Sequence, residues 1–193
     1  MIILASASPR REALLQALWV EHRVIPSLVD EGDLFDGTTV GRAVALAIRK
    51  ATEVATRVGE GLVLGADTLV ECGGRLLGKP KDRDEASRFL QLLSGRSHLV
   101  VTGLALVQAG DARTEVGHEV TEVRMRALTD AEINTYVQTG EPFDKAGGYA
   151  IQGTAEGFIE GIKGSFTNVV GLPLGRLREL LLRFGIDPLN RLR

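Results

Sequence analysis

Cysteine is nearly absent from this chain. Cys72 stands alone in 193 residues, so no disulfide can close within it, and the opening MIILASASPRR carries no basic segment followed by an apolar core of signal length. Both observations lead to the expectation of a reducing, cytoplasmic setting. A dominant charge is missing too: 23 Lys and Arg against 25 Asp and Glu leave a net charge of −2. With 5% aromatic residues there is neither a basic stripe nor a set of stacking platforms, which argues against a nucleic-acid partner or an anionic membrane surface. No apolar run approaches the roughly 18 residues that a membrane-spanning helix needs. Covalent serine chemistry lacks its Gly-x-Ser-x-Gly elbow. Cys72, beside Gly73 and Gly74, has no local histidine partner, and His22, His98 and His118 are too scattered to resemble a zinc site.

What is present is an alternation of short β-branched runs and amphipathic helical stretches, the pattern of an α/β sheet protein. Strands are expected at about 2 to 5, 22 to 26, 62 to 70, 98 to 108 and 115 to 127, and helices at about 9 to 18, 39 to 58, 83 to 94, 129 to 138 and 174 to 184. In the second helix Val40, Val44, Ala47, Ile48, Ala51 and Val54 share one face, which predicts that this face packs on the sheet. The valines between Val116 and Val123 alternate with charged or small residues while the other strands are more continuously apolar, so the sheet is expected to be mixed. No linker or repeat divides the chain, and residues 1–193 read as one domain. The glycine-dense AGGYAIQGTAEGFIEGIKGS reads as an ordered loop region.

Chemistry concentrates at a few places. In LASASPRREALL, Ser8 suits the N-cap and Pro9 the first helical position, which puts Arg10 and Arg11 in the first turn. Two cations there oppose the helix dipole, and a bound anion would reverse the conflict. Ser6, Ser8, Arg10, Arg11 and the free amides of the turn therefore form a candidate phosphate cradle. The plainer alternative is a capped helix with its arginines in solvent. Asp67 interrupts the apolar run LVLGADTLV, and an unpaired buried carboxylate is costly, so Asp67 is expected to face a cleft or hold a metal. Asp30 and Glu31 form a second acidic group, and two carboxylates brought together suit a divalent ion such as Mg²⁺. Lys50 and Lys79 would neutralise phosphates. Each of these also has an ordinary reading, as a turn cap, a solvated loop acid or a surface lysine. GGRLLGKP, residues 73 to 80, imitates a Walker A loop, but Pro80 replaces the metal-binding hydroxyl and the flanking pattern reads as a hairpin.

Taken in order, SASPRR, DE, RKA, GADT, GKP, TGEPFDKAGGYAIQG and NVVGLPL resemble the Maf family of nucleoside triphosphate pyrophosphatases, from about residue 2 to about residue 182. The resemblance implies an α/β fold of the Maf/Ham1 type, with an elongated mixed sheet flanked by helices and two lobes around a deep cleft. It also implies hydrolysis of a nucleoside triphosphate to the monophosphate and pyrophosphate, a divalent cation (Mg²⁺ or Mn²⁺) as cofactor, and a homodimer. Position by position, Ser6, Arg10 and Arg11 match the family's phosphate loop, and Glu31, Lys50, Asp67 and Lys79 match its polar cleft residues, with Asp67 at the place of the proton acceptor; Asp67, alone or with Glu31, would either hold the metal or take the proton of the attacking water. Arg10, Thr68 and Gln152 match positions linked to substrate choice. Ala7 departs from the Gly or Asn common in the family, and Lys163 has no role to carry over.

The chemistry this implies is an in-line attack of water on the α-phosphorus, helped mainly by positioning and charge stabilisation. The string DKAGGYAIQG resembles that of the family's pyrimidine-type members, and Gln152 offers a donor and an acceptor that suit the mixed edge of uracil or thymine, so dTTP and UTP are the expected substrates. The rival readings are a 7-methyl-GTP pyrophosphatase, whose relatives carry an acidic residue near this position, and a non-enzymatic nucleotide-binding regulator of septum formation.

Overall fold

The computed structural model describes residues 1–30, 32, 37–111 and 113–189. Its strands are β1 (Ile2–Leu4), β2 (His22–Val24), β3 (Gly61–Cys72), β4 (Arg75–Leu77), β5 (Ser97–Ala109), β6 (Thr114–Met125) and β7 (Ile159–Lys163). Its α-helices are α1 (Pro9–Ala17), α2 (Thr39–Val58), α3 (Arg83–Leu93), α4 (Asp130–Gln138), α5 (Phe166–Val170) and α6 (Leu174–Arg183). The strands form one seven-stranded sheet in the order β2-β1-β3-β5-β6-β7, with β4 paired to β3. Strand β1 runs parallel to β2 and β3, whereas β3 with β4 and β6 with β7 are antiparallel. The sheet is mixed, as the valine pattern predicts.

The chain divides into two compact units, 1–67 with 102–119 and 171–193, and 68–101 with 120–170. In the first, strand alternation sorts side chains into two cores. Ile2, Leu4, Leu62, Leu64 and Leu104 pack with Leu15 of α1 and Leu177, Leu180 and Leu181 of α6. On the opposite face Ile3, Ala5, Val63 and Ala105 pack against Ala47, Ala51, Val54 and Ala55 of α2. The second unit has its own core, in which α3, α4 and the loop residues Tyr149 and Phe158 cover Val70, Val100, Val123 and Met125.

Helix α2 is rolled from its expected orientation. The buried positions are Ala43, Leu46, Ala47, Lys50, Ala51, Val54 and Ala55, while Val40, Val44 and Ile48 are only half-buried. The cause lies in the opposing strands. A Cβ on Gly65 would fall 2.1 Å from the Ala47 carbonyl oxygen, and one on Gly103 would fall 2.3 Å from the Ala43 carbonyl. Two glycines in the sheet admit the helix backbone only where the helix presents alanines, so close approach selects the small-residue face over the more hydrophobic one.

GGRLLGKP is a hairpin, as its composition suggests. Cys72 pairs with Arg75, and Gly73 and Gly74 both have positive φ (57° and 78°), the requirement of the two-residue turn that suits strand twist. The glycine-dense segment is not loop throughout: Ile159–Lys163 forms β7 against β6, with a register slip between Arg124 and Met125. The short helix α5 was likewise not legible in the sequence.

Candidate active site

The turn after β1 is built as its residues demand. Ser8 is the N-cap of α1, its Oγ accepting from Arg11 N–H at 3.4 Å, and Pro9 opens the helix. Ser6, 7% exposed, accepts at Oγ from the Ser8 amide and from Arg11 Nη1, both at 3.2 Å. Arg11 Nε donates to the Gly171 carbonyl at 2.9 Å. One of the two first-turn cations is thus folded back onto Ser6 and the Gly171-Leu172-Pro173 segment, where a carbonyl dipole offsets its conflict with the helix dipole. Arg10 is half-buried beside it. Ser6, Ser8, Arg10 and Arg11 are gathered at one strand-to-helix turn, as the sequence suggests.

Lys50 and Asp67 meet in the first unit's other core. Val63, Gly65 and Asp67 alternate onto the face of β3 that meets α2, and Gly65 brings the backbone against Ala47 and Ala51, next to Lys50. Lys50 Nζ then donates to Asp67 Oδ1 at 2.6 Å, with the two side chains 9% and 6% exposed. The expected alternatives for Asp67 were a cleft or a metal, and those for Lys50 were substrate phosphate or solvent. The structure pairs the two charges with each other. Such a pair stabilises little, because desolvating both ions offsets their attraction. A buried ion pair in a core otherwise of alanine, valine and isoleucine is therefore hard to explain by stability alone.

The pair lies midway along β3, level with the phosphate turn that follows β1. Leu4 is level with Leu64 and the Ala5 amide donates to the Leu64 carbonyl at 2.8 Å, so the register carried forward sets Ser6 level with Ala66, one residue before Asp67. The carboxyl ends of parallel strands are where α/β sheets hold ligands.

In the second unit, Lys79 leaves the β3–β4 hairpin exposed, and Gln152 is exposed in the loop after Tyr149. The Gly147 amide donates to the Gly78 carbonyl at 3.0 Å, which joins the segments bearing these two side chains. Thr68 is half-buried on β3, on the face opposite Asp67 by alternation. Lys163 is exposed on β7, level with Glu122. Glu31 lies outside the described residues, and with it any test of its pairing with Asp67. Among the described residues no three of His, Cys, Asp and Glu cluster as metal ligands, and no helix is long and apolar enough to cross a membrane.

One polar pair escaped the sequence reading. His98 on β5 is 2% exposed and Tyr149 is 5% exposed, with His98 Nε2 hydrogen-bonded to Tyr149 Oη at 2.5 Å. Burial lowers the His98 pKa to about 4. Between about pH 6.5 and about pH 4 the unfolded chain takes a proton that the fold refuses, so this histidine's contribution to stability is present above pH 6.5 and lost as pH falls. The parent should lose about 2 kcal/mol more than His98→Gln between about pH 7 and about pH 5. Urea midpoints at the two pH values check this. Equal losses would mean that His98 protonates freely in the fold.

The sequence aligns with known proteins over nearly the whole chain. The Maf-like protein family model matches residues 1–184. The chain is 47% identical over 188 residues to the dTTP/UTP pyrophosphatase of Pelotomaculum thermopropionicum, covering 97% of this chain and 98% of that protein. It is 50% identical over 187 residues to the dTTP/UTP pyrophosphatase of Desulforamulus reducens, covering 96% and 97%. An archaeal relative, the dTTP/UTP pyrophosphatase of Thermococcus gammatolerans, is 48% identical over 194 residues, covering 99% of this chain and 100% of that protein. The solved structure of a HAM1 protein from Coxiella burnetii aligns with a TM-score of 0.45 at 24% identity, over 64% of this chain and 72% of that one. A family match from the first strand to the last helix, with relatives at about half identity over their full length, means that the chain belongs to the Maf-like protein family.

Proposed function

We propose that this chain hydrolyses UTP and dTTP between the α- and β-phosphates, giving the nucleoside monophosphate and pyrophosphate. The observation that carries the reading is the buried Lys50–Asp67 pair, set on β3 level with the Ser6–Ser8–Arg10 turn that follows β1. A phosphate binder needs only the turn; a carboxylate held next to it serves a step in which water must lose a proton. The names of the relatives at 47% and 50% identity support the same substrate pair.

In this mechanism the amides of the turn, with Ser8 and Arg10, bind phosphate oxygens. Arg11 fixes the turn by holding Ser6 and Gly171. Asp67 takes the proton of the attacking water, and Lys50 orients that carboxylate and offsets the charge that grows on the triphosphate. The family resemblance favours Lys79 as a further cation, and Arg10, Thr68 and Gln152 as positions that bear on the choice of base. Mg²⁺ is commonly bound by one or two carboxylates together with substrate phosphates and water, and the reading includes a divalent cation held in that way. Asp67 and Glu31 would supply the carboxylates. The chemistry such an ion would supply there is Lewis-acid stabilisation of the negative charge on the phosphates. The reading extends to a homodimer acting in the cytoplasm, with the near-absence of cysteine in favour of a reducing setting.

The decisive experiment compares kcat/KM for UTP, dTTP, CTP, GTP and 7-methyl-GTP on the parent and on Gln152→Glu, with pyrophosphate release as the readout. UTP and dTTP should lead on the parent. Gln152→Glu should weaken them about tenfold or more, because a carboxylate cannot donate to the O4 of uracil or thymine. A parent that prefers either guanine nucleotide would refute the reading, and release that survives exhaustive chelation would remove the metal from it.

A further inference from the structure

The loop that presents Gln152 is pinned from within the second unit. Gly147 and Gly148 take positive φ (73° and 71°), and a Cβ on Gly147 would fall 3.0 Å from Val70 Cγ1, so the backbone lies directly on β3. On one side the Gly147 amide holds the Gly78 carbonyl, one residue before Lys79. On the other, Tyr149 turns its ring inward, edge-on to His98 with centroids 5.3 Å apart and planes at 88°, and its hydroxyl reaches Nε2. Packing does not call for this arrangement. Phenylalanine and leucine would fill the same space without burying an imidazole whose Nδ1 has no hydrogen-bond partner among the described residues. A polar contact that costs stability but fixes one conformation is a device for placing something.

We propose that His98 is a positioning residue for base selection, hooking Tyr149 to β5 so that Gln152, three residues on, and Lys79, tied through Gly147, keep one placement in the substrate-free protein. The inference rests on the pyrophosphatase reading, and it adds a determinant that touches no substrate. Burial keeps the imidazole neutral, so the hook is unaffected by pH across the neutral range. Its effect should be large for its size, since displacement of a recognising group by about 1 Å is felt strongly in rate and affinity.

Tyr149→Phe is the informative variant, because it keeps the ring and its edge contact and removes only the hydroxyl. It should raise KM for UTP and dTTP about tenfold, change kcat less than about threefold, and lower the UTP-to-CTP ratio of kcat/KM about tenfold. In the substrate-free protein, amide exchange at Gly147 and Gly148 should quicken about tenfold while amides in α2 keep their rates. His98→Leu should reproduce this pattern, and His98→Gln, whose amide nitrogen can stand near the place of Nε2, should recover part of the selectivity. A lower Tm with KM, selectivity and Gly147 exchange all at parent values would overturn the proposal and leave a packing contact. If the parent cleaves no nucleoside triphosphate, the functional reading falls by that result alone. The exchange measurement then decides the hook by itself: parent rates at Gly147 in Tyr149→Phe overturn it, and faster exchange upholds it.

Discussion

Asp67→Asn is expected to lower turnover at least 10²- to 10⁴-fold while leaving nucleotide binding close to that of the parent. That is the usual worth of a positioned general base. The substitution keeps the volume and planarity of the side chain, and its remaining carbonyl oxygen can still accept the bond from Lys50 Nζ, now 2.6 Å from Asp67 Oδ1. What disappears is the negative charge. The phosphate turn keeps bonds of its own, because Ser6, Ser8 and Arg11 are bonded to one another and Arg11 to Gly171. Binding energy held by that turn should therefore persist while proton transfer is lost, and KM should move much less than kcat. Single-turnover pyrophosphate release together with calorimetric titration of UTP separates the two. A rate within about tenfold of the parent would remove Asp67 from the chemistry, since a general base is worth more than that.

How much of this was legible in the sequence depends on how local each cause is. The cap at Ser8 and Pro9 and the turn at Gly73 and Gly74 follow from residues within four positions of one another, and both are found as read. The roll of α2 is not local. Valine and isoleucine at 40, 44 and 48 outrank the alanines in hydrophobicity, and the preference for Ala43 and Ala47 comes from Gly103 and Gly65 on strands that the helix sequence knows nothing about. The same roll carries Lys50 inside, so a residue that reads as surface becomes the partner of a carboxylate 17 positions away. His98 and Tyr149 are 51 positions apart, and neither has a neighbour in sequence that betrays the contact. Strand β7 was hidden by its glycines: Gly161 interrupts it, and it completes itself by pairing with β6 rather than by propensity. The candidate residues were thus recognisable by type and motif, whereas their mutual contacts were set by the sheet.

Lys50→Met tests whether the buried pair is there for stability or for work. Removing the ammonium deprives the buried Asp67 carboxylate of its bonded cation beside Val63, Ala47 and Ala51, and breaking a buried pair from one side costs about 3 to 5 kcal/mol. Replacing both ions, in Lys50→Met with Asp67→Leu, removes the remaining charge and substitutes apolar groups of similar length. That double variant should recover most of the loss and unfold within about 1 kcal/mol of the parent, or above it, since well-packed apolar replacements of buried ion pairs are often neutral or stabilising. Urea midpoints of the two singles and the double form a closed cycle, with a coupling expected at the upper end of the roughly 0.5 to 3 kcal/mol seen for contacting residues. Turnover should follow the opposite order, falling in both singles and remaining lost in the double however stable it becomes. A double variant as unstable as Lys50→Met alone would assign the cost to packing against Gly65 rather than to charge. One that regains activity with its stability would show that the pair serves the fold and that the proton acceptor lies elsewhere.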